Sequence, residues 1–261
     1  EGATNIYTVN DDAFFGERTD NGNDSRGYGF SAWNQNNDYN LNAVLHWDRS
    51  FDETHNLGID LGSEFYNSKT VYTLVEGEQF PSDEFKTLAS AALITNGTST
   101  LTEYNILSYF GRASYDYKRK YLFNVSSRID GSSRFGKNER YAFFPAVSAG
   151  WVLSEEGFLQ NNKTLSFLKL RASWGLSGNA GIGNFASLGL YQAGAYNENS
   201  ALTPEQIPNP NLTWEKSAEW NLGIDFGFFN NRLTGEFDVY QKNTTDLLLN
   251  AAGTSMTGTA E

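Results

Sequence analysis

The stretch RIDGSSRFGKNERYAFFPAVSAGW, residues 128–151, places strand-forming residues on both sides of a segment rich in Gly, Ser, Arg and Lys. β-Branched and aromatic residues favour strands, whereas Gly and Ser supply the backbone conformations of turns. The stretch therefore predicts a strand over residues 121–130, a hairpin loop over residues 131–141 and a second strand over residues 143–153. Pro145 removes one ladder hydrogen bond, which a position near a strand end tolerates.

Apolar and polar residues also alternate in the rest of the chain. In YNLNAVLHWD, residues 39–48, every odd-numbered position is apolar and most even-numbered positions are polar. This period of two predicts strands whose two faces meet different surroundings. The same pattern predicts seven further strands, which makes eight in all: residues 57–65, 107–117, 121–130, 143–153, 168–176, 218–226 and 233–239. A ninth candidate lies at Ile6–Val9.

The connections between these predicted strands alternate between short and long. The long ones are residues 68–103, 131–142 and 178–213, and the shorter ones are residues 49–54, 118–120, 154–164 and 228–231. An up-and-down meander with such connections has its short turns at one end and its long loops at the other, as outer-membrane barrels do. A soluble sheet with one solvated face also fits the alternation, so both classes stay open at this point.

Two further patterns favour the barrel. Aromatic residues gather near the ends of predicted strands, where interfacial girdles lie in membrane barrels. Charged residues stand within the polar face, as a water-filled lumen permits; they are Asp60, Arg112, Arg128, Arg171 and Asp225.

Composition excludes several other classes of protein. The net charge of −12 argues against a nucleic-acid binder, which would carry a basic patch. The absence of Cys excludes disulfides and thiolate metal sites. Weak matches to a dinucleotide loop (GIGNFA, residues 181–186), a calcium loop (DNGND, residues 20–24) and a histidine site (His46 and His55) lack the surrounding pattern that such sites need. No catalytic residue, cofactor or metal is predicted, and the chain is not expected to be an enzyme.

The motifs and their order resemble the SusC/RagA family of TonB-linked outer-membrane transporters. In the opening stretch the matching residues are Arg128, Asp130–Gly136, Phe144-Pro145, Ser148 and Gly150-Trp151. The resemblance is clearest over residues 104–248 and looser before them. It continues through SEEGFL (154–159), LKLRASWGLSGN (168–179), IPNPNLTWEKSAEWNLGIDFGFFNNRLTG (207–235) and FDVYQKNTTDLL (237–248).

The resemblance implies an all-β fold, an antiparallel up-and-down transmembrane β-barrel that belongs to a barrel of about 22 strands with a plug in its lumen. Residues 1–261 would form a partial barrel domain that lacks the plug, the signal peptide and the terminal strands. The implied location is the outer membrane of a Gram-negative bacterium of the Bacteroidetes. The implied activity is uptake of large nutrients, oligosaccharides or peptides.

The implied partners are a SusD-like surface lipoprotein that acts as a lid, TonB through the N-terminal region, the substrate and outer-membrane lipid. A barrel that displays adhesive loops and a soluble glycan-binding β domain are the alternatives. Six residues are candidates for contact with the substrate or the lid: Arg128, Asp130, Arg134, Tyr191, Tyr196 and Trp214. The charged residues could instead pin the hairpin and the barrel wall, and the aromatic ones could instead pack between loops.

Overall fold

The computed structural model describes residues 2–52, 54–160, 162–196 and 199–249. Eleven strands contain most of these residues, and two short 3-10 helices lie at Leu88–Ser90 and Leu153–Glu155. No described helix has the length and apolar character needed to cross a membrane. The strands are β1 (Gly2–Phe15), β2 (Tyr28–Phe51), β3 (His55–Glu78), β4 (Leu93–Tyr117), β5 (Tyr121–Ser132), β6 (Tyr141–Val152), β7 (Leu165–Asn179), β8 (Leu190–Tyr196), β9 (Asn199–Gln206), β10 (Glu215–Phe228) and β11 (Leu233–Thr245).

Nine of these strands form one sheet in the order β1-β2-β3-β4-β5-β6-β7-β10-β11. Neighbours in the sheet are neighbours along the chain, except that β8 and β9 form a separate hairpin between β7 and β10. The order confirms the predicted antiparallel up-and-down meander. The ninth strand predicted at Ile6–Val9 is part of β1, whose residues pair with β2 from Gly2↔Leu41 to Phe15↔Tyr28.

The alternation of short and long connections is also present. Residues 52–54, 118–120 and 229–232 are short turns at one end, and residues 16–27, 79–92 and 180–214 are longer connections at the other. The two connections beside β6 depart from the pattern, because residues 133–140 are fewer than residues 153–164. The connection at residues 153–164 begins with the 3-10 helix Leu153–Glu155.

Two predicted loops contain strands that the sequence did not indicate. Residues 68–103 form the continuation of β3 and β4 on both sides of a shorter connection, and residues 178–213 contain β8 and β9. In the first of these, polar side chains bond to one another within the sheet. The Thr70 hydroxyl donates to Asn36 over 2.9 Å, and the Asn67 amide donates to Glu103 over 2.9 Å. Strands with polar residues on both faces lack the alternation on which the prediction depended.

The chain divides into two compact units. One contains residues 1–41 and 65–105, and the other contains residues 42–64 and 106–261. In the first unit the buried Phe80 ring packs edge-on against Phe14, with 4.9 Å between ring centroids. In the second unit, the buried core consists of Phe135, Phe144 and Trp214.

In the second unit, the two faces of the strands differ in chemistry. Leu222 on β10 lies opposite Ala172 on β7 and Val239 on β11, so one face continues as an apolar row across three strands. Large apolar side chains on this face are exposed: Phe123, Val125, Val147, Trp151, Leu170, Trp174, Trp220, Leu222, Ile224, Phe237 and Val239. A soluble monomer rarely exposes an apolar surface of this extent. The opposite face carries the charged residues described next.

Candidate functional site: the charged face and the loop cluster

Arg128 contacts residues on three strands of the charged face. Its Nη2 lies 2.8 Å from Glu64 Oε2 on β3, and its Nε lies 2.6 Å from Asp130 Oδ1 on β5. The guanidinium also lies 5.4 Å from the ring centroid of Phe110 on the intervening strand β4. The contact with Glu64 could not be found from local spacing, because 64 residues separate the two side chains in sequence.

Arg171 makes a second charged cluster on β7, β10 and β11. Its Nη2 lies 2.7 Å from Asp225 Oδ1 and 3.2 Å from Asp238 Oδ2, and its Nε also donates to Asp225. The sequence placed Arg171 and Asp225 on the polar face but did not single them out as a site. Arg128 and Arg171 each engage two carboxylates, so each cluster bears one formal negative charge.

Arg134 connects the β5–β6 loop to the loop that follows β7. Its Nε donates to Asn184 Oδ1 over 2.7 Å, and its Nη1 donates to the Ala180 carbonyl over 3.0 Å. Next to it, Gly136 donates its backbone N–H to the Leu212 carbonyl over 3.0 Å. A Cβ at Gly136 would lie 2.0 Å from the Pro210 carbonyl oxygen, so only glycine fits this approach of two loops.

Trp214 is buried between these loops. Its ring centroid lies 4.6 Å from that of Phe135, which is fully buried, and 5.5 Å from that of Phe144. The indole Nε1 donates to the Arg140 carbonyl over 3.0 Å. Phe135 and Phe144 belong to the RFG and FP motifs of the opening stretch, but they were not predicted as a cluster. We call Phe135, Phe144 and Trp214, with the polar contacts of Arg134, the loop cluster.

The hairpin β8–β9 presents an apolar surface of its own. Tyr191 lies opposite Pro204, and Ala193 lies opposite Leu202, so these side chains share one face of the hairpin. Tyr191 is 67% exposed and Leu202 is 71% exposed. Tyr196 is the last residue of β8, and its side chain lies outside the described residues.

The base of this hairpin is fixed to the preceding loop. The Gln206 side-chain amide donates to the carbonyls of Phe185 over 3.1 Å and of Leu188 over 2.6 Å. The six predicted candidates therefore fall into three groups: Arg128 with Asp130 on the charged face, Arg134 with Trp214 in the loop cluster, and the hairpin tyrosines.

At the opposite end of the strands, Glu156 joins the SEEGFL motif to the wall. Its carboxylate accepts hydrogen bonds from the Tyr121 hydroxyl over 2.7 Å and from Trp151 Nε1 over 3.1 Å, and Lys120 Nζ lies 3.7 Å away. The Tyr121 hydrogen bond contributes most to lowering the pKa of Glu156, followed by the Trp151 hydrogen bond. Within the described ranges, no group of three or more His, Asp and Glu side chains could hold a metal ion.

The sequence of this chain matches the family model "TonB dependent receptor-like, beta-barrel" over residues 2–261. The TonB-dependent receptor SusC of Bacteroides thetaiotaomicron is 42% identical over 165 residues, which are 60% of this chain and 16% of that protein. The TonB-dependent receptor P39 of Formosa agariphila is 36% identical over 225 residues, which are 85% of this chain and 22% of that protein. The chain therefore spans about a fifth of the length of these curated relatives.

The fold matches solved structures of the same kind. The structure of the RagAB peptide transporter superposes with a TM-score of 0.90 and 27% identity, over 98% of this chain and 29% of that one. The RagAB peptide importer in its "closed-closed" state superposes with a TM-score of 0.91 and 26% identity. Both comparisons confirm the resemblance to the SusC/RagA transporters and the fold class, an antiparallel sheet that is part of a transporter barrel. The chain belongs to the TonB dependent receptor-like β-barrel family.

Proposed function

We propose that this chain is barrel wall and loop region of a SusC-like TonB-dependent active transporter in the outer membrane of a Gram-negative bacterium. The transporter would import a large nutrient, an oligosaccharide or a peptide, beneath a SusD-like surface lipoprotein. TonB would act through a plug in the lumen of the barrel, and residues 1–261 would form part of the barrel domain. No catalytic step is part of this proposal.

The observation that carries the proposal is the chemical difference between the two faces of one sheet. Exposed apolar side chains on one face suit contact with lipid, and paired charges on the other suit a water-filled or plug-filled lumen. The similarity to a protein described as a peptide transporter and to SusC supports transport over display of adhesive loops. Only one of these two names mentions a substrate, and the chain covers only part of each protein. Peptides and oligosaccharides are therefore both proposed as substrates.

The six candidate contact residues receive different roles in this proposal. Arg128 and Asp130 would line the lumen, where they could meet a substrate that passes the wall. Arg134 and Trp214 would hold the extracellular loops in place, since their polar atoms bond within the loop cluster.

Tyr191 and Tyr196 would contact the lipoprotein lid or the substrate. The exposed face shared by Tyr191 and Leu202 has the apolar character and the aromatic anchor that protein interfaces favour at their centres.

Transport is tested with the complete protein in its native host. Deletion of its gene should abolish uptake of the substrate, and an uncoupler that removes the inner-membrane proton gradient should stop uptake in wild-type cells. Uptake that persists with the uncoupler would contradict TonB-dependent transport and favour passive diffusion. Normal uptake after deletion, with loss of surface attachment, would favour the adhesive alternative.

The lid contact is tested with paired variants of the hairpin. Tyr191→Ala combined with Leu202→Ala should reduce co-purification of the lipoprotein while leaving the amount of folded barrel unchanged. Gln192→Ala, on the opposite face of the same strand, is the matched control and should have no effect. If the double variant retains the lipoprotein at wild-type level, the hairpin face is not part of the lid interface.

A further inference from the structure

We infer that the apolar face carries a site for an anionic phospholipid, whose acyl chain lies in a groove over β5, β6, β7, β10 and β11 and whose phosphate meets Lys118 and Arg119. The inference rests on the proposed function, which places the short turns at the periplasmic surface of the outer membrane.

The groove has a volume of about 890 Å³ and a mostly apolar lining. Its floor is formed where Ala149 on β6 lies directly opposite Ala172 on β7. In the same row of the sheet, Phe123 lies opposite Ala149 and Leu222 lies opposite Ala172. Two small side chains between two large ones leave a depression in the wall. An alkyl chain is a suitable occupant of this groove. Lipid acyl chains surround this face in a membrane, and an alkyl chain in the groove leaves no polar group unpaired.

A series of aromatic rings connects the groove to the short turn between β4 and β5. Trp151 and Tyr121 line the groove and stack with 6.2 Å between centroids. Tyr121 stacks in turn on Tyr117 at 6.1 Å, and Lys118 Nζ lies 5.1 Å from the Tyr117 ring centroid. Aromatic belts lie at the level of lipid headgroups, so the turn at residues 118–120 is where a phosphate would lie.

The backbone conformation of this turn suits Asn better than Lys or Arg. Lys118 and Arg119 have φ angles of 54° and 56° in the left-handed region, which costs free energy for any residue with a Cβ. In the short turn between β10 and β11, the same region is occupied by Phe229, Asn230 and Asn231, at 54°, 57° and 59°. The Lys120 backbone N–H donates to the Tyr117 carbonyl over 3.0 Å, so Lys118 and Arg119 are the central residues of a hairpin turn whose twist favours positive φ.

Both cations are available to an anion. Lys118 and Arg119 are exposed, and neither forms an ion pair with the described carboxylates. Two acidic residues near this turn have other contacts: Glu156 lies beside Lys120, and Asp116 accepts the backbone N–H of Arg119 over 3.0 Å. Asp52 also lies near the turn, because the Thr54 carbonyl accepts the Lys118 backbone N–H over 2.6 Å. In a chain with a net charge of −12, two exposed cations at the end of an apolar groove complement an anionic headgroup with an alkyl tail.

The test is native mass spectrometry of the complete transporter in detergent, with phosphatidylglycerol and phosphatidylethanolamine of identical acyl chains. The wild type should retain phosphatidylglycerol preferentially. The double variant Lys118→Asn/Arg119→Asn should lower that preference by about fivefold for each cation removed. Since Asn favours this turn conformation, the variant is expected to fold at least as well as the wild type. The matched control is Lys163→Asn/Arg232→Asn, which removes two exposed cations from other connections at the same end and should leave the preference unchanged.

A groove variant tests the acyl site separately. Ala149→Leu should reduce retention of both lipids about equally, because it fills the floor of the groove without altering charge. An unchanged preference in Lys118→Asn/Arg119→Asn would overturn the inference, and so would an equal loss in the control. If Ala149→Leu changes the oligomeric mass and not lipid retention, the groove is a contact between copies of the protein. A protein that fractionates with outer membranes and imports its substrate but shows no lipid preference would overturn this inference alone.

Discussion

Substitution of Leu222 by Arg should destabilise the barrel by about 2–3 kcal/mol, an amount that depends on depth in the bilayer. The aromatic residues Trp220 and Phe228 mark the two edges of the apolar band on β10, and they are eight residues apart. At about 3.4 Å per residue and a tilt of about 40°, they lie about 21 Å apart along the membrane normal, close to the height of the apolar band. Leu222 then lies about 5 Å from the midplane and Ile224 lies close to it, so Ile224→Arg should cost more, up to about 4 kcal/mol.

The measurement is the free energy of unfolding of the complete protein, from urea titrations in lipid vesicles followed by tryptophan fluorescence. Asn221→Arg is the matched control, because Asn221 adjoins Leu222 but belongs to the polar face, opposite Ser173 and Tyr240. It should cost less than about 1 kcal/mol. Asp225 is less suitable, since its substitution would also break the ion pair with Arg171. Equal destabilisation at Leu222 and Asn221 would refute the assignment of the two faces.

Three further predictions concern the loop cluster, the charged face and the short-turn end. Phe135→Ala should destabilise the loop cluster by about 3–5 kcal/mol, because Phe135 is fully buried. Protease cleavage within residues 133–140 should then be faster than in the wild type. Unchanged cleavage would contradict a role of Phe135 in holding the loops. Arg171→Met should lower the free energy of unfolding by about 1–2 kcal/mol, since Asp225 and Asp238 lose their partner at a site about one-third exposed. Adding Asp225→Asn should recover part of this loss. If the effects of the two substitutions simply add, the two residues are not coupled. Glu156 has a lowered pKa in the folded protein, so its contribution to stability is present above the ordinary carboxyl pKa of 4.5 and is lost as pH falls through the folded value. Tyr121→Phe removes the main cause of that lowering and should reduce the loss of stability between about pH 5 and pH 3; an unaltered pH profile would show that Tyr121 does not stabilise the carboxylate.

The strands most accurately predicted from sequence are those with one apolar face. β5, β6 and β10 were located within a few residues, because their alternation reflects a real difference between two environments. The parts of β3 and β4 that lie within residues 68–103 were not predicted as strands. In and beside them, Thr70, Asn67 and Glu103 form hydrogen bonds with polar neighbours within the sheet. A period of two in hydrophobicity is lost where polar residues lie on both faces.

The candidate site was predicted only in its residue types. The opening stretch indicated that Arg128, Asp130 and Arg134 matter together, but their partners Glu64 and Asn184 are 64 and 50 residues away in sequence. Alternation assigns a residue to a face and says nothing about which strand lies beside it.

Trp214 illustrates the same limit for aromatic residues. Its position in a long connection fitted both ligand stacking and loop packing. Its burial against Phe135 depends on the close approach of the Gly136 backbone to Pro210, which no local pattern encodes.

The assignment to a transporter barrel is tested most directly by the electrophoretic mobility and intact mass of the native polypeptide that carries these residues, extracted from an outer-membrane fraction. Membrane barrels resist unfolding, so mobility should change on boiling. If these residues belong to the wall of a large barrel, the polypeptide should be a heat-shifted species several times heavier than the 29.1 kDa of residues 1–261, extracted only with detergent. A species of 29.1 kDa that stays in solution without detergent would contradict it.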